Sequence, residues 1–103
     1  MSIYQTAHYQ VNGTAVEAVK TAIVEFVDYV AANEPGSLVY TAWQQADDPT
    51  KFVHLFEFAD GHAQEIHGES EAVRAFEAVY TPELVNGPVR FTDYVQVATN
   101  HSR

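Results

Sequence analysis

Cysteine is absent from this sequence and cations are scarce. Five Lys and Arg stand against fourteen Asp and Glu, a formal net charge of −9 over 103 residues. The first absence removes disulfides, thiolate metal ligands and thiol nucleophiles together. The second argues against nucleic acid and anionic membranes as partners, because an acidic surface repels phosphate. No apolar run is long enough to span a bilayer, and residues 1–10 have neither the basic nor the apolar segment of a secretory leader. A cytoplasmic location is therefore expected. Catalytic templates are missing as well: there is no glycine-rich phosphate loop after a strand, no HExxH and no G-x-S-x-G. The carboxylates are dispersed, and His62 and His67 are five residues apart instead of the four that align two ligands on a helix. No metal site is expected.

What is present is apolar and aromatic. Hydrophobic residues make up 47% of the chain and aromatics 13%, enough to fill a core and unlike a disordered acidic segment. Residues 3–11 alternate, with Ile3, Ala7, Tyr9 and Val11 on one face, and predict a first strand. Thr14 and Glu17 have capping-box spacing. Val16, Val19, Ile23, Phe26, Val27 and Val30 then recur at three- and four-residue steps, predicting a helix that ends near Asn33. Residues 37–45 and 51–58 read as two strands joined by the Asp47-Asp48-Pro49 turn, hence an antiparallel hairpin. Phe52, His54, Phe56 and Phe58 share one face of the second of these. Asp60 can cap a second helix running from Gly61 to Thr81-Pro82, with a weak point at Gly68. Residues 89–97 complete the pattern as a last strand.

The order β-α-β-β-α-β is that of a ferredoxin-like α+β fold, a four-stranded antiparallel sheet with both helices on one face. One domain over residues 1–103 is expected. A homodimer is the economical way to cover the other face of the sheet.

Candidate site residues flank the space between sheet and second helix. His67 lies on the inward stripe of that helix with Ala63 and Ser70. Its ordinary role is that of a hydrogen-bonded structural residue; its functional role would be a general base, since imidazole exchanges protons near neutral pH. Tyr40 and His54, on adjacent strands, can face the same cavity or serve as core residues with satisfied polar atoms. Trp43 is either core or substrate wall. Arg74 and Arg90, the internal arginines, can orient an anion or form surface ion pairs. Periodicity alone therefore predicts a cleft and leaves the reaction open.

Three segments carry a resemblance. Glu34-Pro35-Gly36-Ser37-Leu38-Val39-Tyr40 enters the second strand, Asp47-Asp48-Pro49 turns the hairpin, and the aromatic strand ending at Asp60 is followed by Ala63, His67 and Ser70 in the pattern D..A...H..S. In order and spacing the chain resembles the antibiotic biosynthesis monooxygenase family, from its first strand to Val97. The resemblance implies a ferredoxin-like fold, a homodimer whose two sheets form a barrel, and a cleft in each subunit. It implies cofactor-independent monooxygenation of a small phenolic or quinol-type aromatic substrate with dioxygen. His67 would then be the base, Tyr40, Trp43 and Phe58 aromatic walls, His54 a further cleft residue and Arg74 an orienting group. The alternative is a non-catalytic or stress-related protein that binds a small aromatic ligand on the same scaffold. Some positions depart from the family pattern. Ser70-Glu71-Ala72-Val73 stands where many members have Pro-His-Phe after the serine, and Phe56 stands where a third-strand Glu is common. Glu77 occupies the place of the iron-ligating histidine of the haem-degrading branch, which disfavours haem degradation.

Overall fold

Alternation of side chains along extended segments builds the sheet. In the computed structural model, which describes residues 2–101, β1 (Ile3–Gln10) buries Ala7 and Tyr9 on one side, while β3 (Lys51–Phe58) buries Phe52, His54, Phe56 and Phe58 on the same side. β2 (Ser37–Gln44) pairs with β3, and β4 (Arg90–Tyr94) pairs with β1. The order is β2-β3-β1-β4, with every neighbour antiparallel. This is the ferredoxin-like arrangement expected from the element order.

Helix α1 (Val16–Asn33) buries Val16, Val19, Ile23, Phe26 and Val30 along one stripe, and that stripe meets Tyr9, Phe52, Phe76 and Tyr80 in the main core cluster. The opposite face of the sheet carries Trp43, Leu55 and Tyr94, with Trp43 55% exposed. The Asp48 turn is locked by its side chain, whose Oδ1 accepts from the Thr50 backbone N–H at 3.1 Å and from Thr50 Oγ1 at 2.6 Å. The Thr50 hydroxyl and amide bonds hold the Asp48 carboxyl below its usual range.

Four local expectations are corrected. The Thr14–Glu17 capping box does not form; the chain enters α1 through a 3-10 turn at Gly13–Ala15, where the Ala15 N–H donates to the Asn12 carbonyl at 3.0 Å. The 3-10 turn takes the place of a side-chain cap, and the Thr14 and Glu17 side chains remain exposed. The expected second helix is two helices, α2 (Gly61–Gly68) and α3 (Glu71–Tyr80). Gly68 is a poor helix residue, and Ser70 starts the new helix by accepting from the Val73 N–H at 3.1 Å. The first strand stops at Gln10, and Val11 makes an isolated bridge to Leu84. The last strand covers only residues 90–94, where β1 supplies partners; Val95 and Val97 lie beyond the pairing, 88% and 99% exposed.

Candidate functional site

Two short-range devices bring a carboxylate to a histidine 33 positions away. α1 ends at Asn33, and Glu34 closes it, its N–H donating to the Val30 carbonyl at 3.0 Å. Pro35-Gly36 then turns the chain into β2. The turn passes so close to α2 that a Cβ on Gly36 would lie 2.6 Å from the Cβ of Ala63. This approach seats Glu34, 5% exposed, beside the inward side of α2. There Glu34 Oε1 accepts from His67 Nδ1 at 2.8 Å and from Ser37 Oγ at 3.0 Å. Because an ionised carboxylate only accepts, the proton of this bond sits on His67 Nδ1, and in the neutral ring it is Nε2 that carries the lone pair.

The His67 ring sits in an aromatic nest, with centroids 5.2 Å from Phe58, 5.4 Å from Tyr40 and 5.5 Å from Phe26. It lines a cavity of about 360 Å³ between sheet and helices, together with Tyr9, Tyr40, His54, Phe56, Phe58, Phe76 and Tyr80. That volume is in the range of small-molecule sites. Deeper in the wall, His54 is 1% exposed and uses both ring nitrogens. Nε2 is 2.8 Å from the Tyr9 hydroxyl and Nδ1 is 3.0 Å from the Tyr40 hydroxyl. Burial lowers the His54 pKa to about 4, so the ring is neutral at pH 7. Burial also pushes the Tyr9 and Tyr40 phenols well above their usual range, with Tyr80 adding to the effect on Tyr9.

The residues singled out from sequence divide accordingly. Tyr40, His54, Phe58 and His67 converge on the cavity. Trp43 does not: strand alternation puts it on the far face of the sheet from Tyr40 and Ala42, where it lines a separate hollow with His8 and Arg90. Arg74 also stands apart. It is one residue round the helix from the inward-facing Val73, its Nη1 donates to the Glu69 carbonyl at 2.7 Å, and its side chain is 61% exposed beside Glu71. Two residues were missed. In the sequence Tyr9 shows only as one of the alternating residues of the first strand and Glu34 only as the start of a turn; the Glu34-Pro35-Gly36 segment that carries the resemblance is the available signal for the second. Among the described residues, no group of three His, Asp or Glu side chains could hold a metal ion. No helix there is long and apolar enough to cross a membrane.

The close approach at Gly36 yields a stability prediction. Gly36→Ala is expected to destabilise the protein by about 1–3 kcal/mol, the usual cost of overpacking against a stiff neighbour. Urea unfolding reads the loss, and adding Ala63→Gly should restore much of it; an unchanged midpoint in the single variant would refute the contact.

The family model for antibiotic biosynthesis monooxygenase matches residues 2–79. No curated protein matches the sequence. Among solved structures, a proposed antibiotic biosynthesis monooxygenase from Bacteroides thetaiotaomicron superposes with a TM-score of 0.88 at 15% identity, covering 99% of this chain and 95% of that one. A second, from Nitrosomonas europaea, gives 0.84 at 21% identity, over 93% and 90%. A third, from Caulobacter crescentus, gives 0.80 at 23% identity, over 92% and 91%. At such identities the structural likeness speaks for the fold alone, and the family rests on the sequence model, which spans well over half the chain: this protein belongs to the antibiotic biosynthesis monooxygenase family.

Proposed function

We propose that the protein is a cofactor-independent monooxygenase that oxidises a small phenolic or quinol-type aromatic substrate with dioxygen. The observation that carries this reading is His67, held from behind by Glu34, in the wall of an aromatic-lined cavity. Aromatic walls favour a flat apolar ligand. His67 Nε2 is the base that takes the substrate's phenolic proton, and Glu34 stabilises the imidazolium that results. The electron-rich phenolate passes one electron to dioxygen, and the radical pair joins at a ring carbon. For a quinol, His67 returns its proton to the peroxide so formed, and the hydroperoxide then loses water, made of its outer OH and the ring hydrogen, to leave a hydroxyquinone. One oxygen atom enters the product, the other leaves as water, and the substrate supplies every electron. The buried tyrosines and phenylalanines exclude water from the charged intermediates.

Oxygen uptake with a panel of substituted hydroquinones tests the reading. Consumption well above autoxidation is expected for at least one compound, with a hydroxyquinone as product. Uptake that never exceeds autoxidation across the panel would leave the non-catalytic ligand-binding protein as the better account. A homodimer belongs to the same proposal, supported by the exposed Trp43, Leu55, Tyr94, Val95 and Val97 on and beside the outer sheet face. Light scattering at micromolar concentration should give twice the chain mass; a monomer mass refutes it.

A further inference from the structure

Neutral His54 has one N–H and two tyrosine neighbours, and this count has a directional consequence. One hydroxyl must donate to the bare ring nitrogen, and the other must accept from the protonated one. The tyrosine that accepts keeps its own O–H proton unspent. Neither the Tyr9 nor the Tyr40 hydroxyl has another hydrogen-bond partner among the described residues, and both residues line the cavity.

The distances, 2.8 Å from Nε2 to the Tyr9 hydroxyl and 3.0 Å from Nδ1 to the Tyr40 hydroxyl, suit a donor at either end. What separates the two phenols is their surroundings. Tyr9 is the more confined of the two, 7% exposed and stacked between Phe52 at 5.5 Å and Tyr80 at 5.0 Å. Tyr40 lies next to the His67 ring.

We propose that Tyr9, His54 and Tyr40 form a one-way hydrogen-bond chain, Tyr9 O–H to Nε2 and Nδ1–H to the Tyr40 oxygen, which leaves the Tyr40 proton as the donor to an acceptor oxygen of the aromatic ligand. Tyr9 and His54 are positioning residues: they touch the ligand's oxygen only through Tyr40. The cavity then offers two opposite polar functions, an acceptor at His67 Nε2 and a donor at Tyr40. The inference rests on the proposed function only in taking this cavity as the ligand site.

Two measurements test it without turnover. Long-range proton–nitrogen NMR of the free protein reads the His54 tautomer directly, and the expected result is a proton on Nδ1 with Nε2 bare. An Nε2–H tautomer overturns the chain. The second measurement compares binding of 1,4-naphthoquinone with that of naphthalene, two flat probes that differ in acceptor oxygens. The chain has no cysteine for the quinone to alkylate. Tyr40→Phe should weaken naphthoquinone roughly tenfold, the worth of one hydrogen bond, and leave naphthalene within about twofold. Tyr9→Phe, which keeps the packing ring, should give a mixed His54 tautomer and a smaller loss for naphthoquinone alone. Equal losses for both probes, or failure of both to bind at millimolar concentration, overturn the proposal. Selectivity retained in a protein that never consumes oxygen with quinols would refute the monooxygenase reading and support the chain.

Discussion

Replacing His67 by glutamine is expected to lower quinol-dependent oxygen uptake by a hundredfold or more, the usual worth of a positioned general base. Glutamine keeps a side chain of comparable reach that can still donate to Glu34, so the effect isolates the lost Nε2 lone pair. The loss should fall on kcat more than on KM, because the aromatic walls that hold the substrate are untouched. It should also shrink as pH rises and the quinol ionises in solution, since the substrate then arrives already deprotonated. Circular dichroism and the urea midpoint check that the fold survives. Turnover within a few-fold of the wild type would remove His67 as the base. Glu34→Gln should cost at least as much: the amide no longer stabilises the imidazolium by charge, and its NH2 facing Nδ1 turns the ring to the wrong tautomer.

Acid should destabilise the protein through His54. The free imidazole binds a proton below its ordinary value of 6.5, whereas the buried one does so only near 4. Between those values the unfolded chain holds more protons than the folded one, so stability falls as pH falls. The contribution is fully present above about 6.5 and lost progressively toward 4, amounting to about 3 kcal/mol in all. The cause is desolvation: the groups facing the ring are the Tyr9 and Tyr40 hydroxyls and the Phe76 ring, and none carries a charge to stabilise the imidazolium. His67 and Glu77 are the other titratable groups of the same cavity wall besides the tyrosines. Carboxylates titrate over part of the same range, so the wild type must be compared with His54→Gln, which cannot take up the proton. Urea unfolding between pH 7.5 and 4 should show the wild type losing about 3 kcal/mol more than the variant; parallel profiles would refute the assignment.

The sheet was legible in the sequence because its signals are local. Phe52, His54, Phe56 and Phe58 alternate with exposed or partly buried neighbours over most of β3, and a period of two places them on one face whatever the rest of the chain does. The stripe Val19, Ile23, Phe26 and Val30 identifies α1 in the same way. Element ends were less legible because competing local solutions are close in energy. A 3-10 turn replaced the capping box at Thr14, and the Ser70 cap completed the break that Gly68 began.

The site was legible in part. Tyr40 and His54 could be brought together because hairpin register is itself local, the turn at Asp48 setting which residues oppose each other. The same alternation that joins them puts Trp43 on the other face, so its assignment to the cleft failed on a rule the sequence already contained. Arg74 failed for a related reason, one step of 100° round a helix being enough to move a side chain from cavity to solvent. By itself, then, the sequence determined the periodicities, and with them the ferredoxin-like order of elements and the inward faces of β3 and α1. Only the tertiary structure decided the chemistry of the cavity. Glu34 reaches His67 because Gly36 lets a turn press against Ala63, and Tyr9 reaches His54 because strands far apart in sequence share a register. Contacts of that kind depend on how packed layers approach one another, and no spacing along the chain encodes the distance.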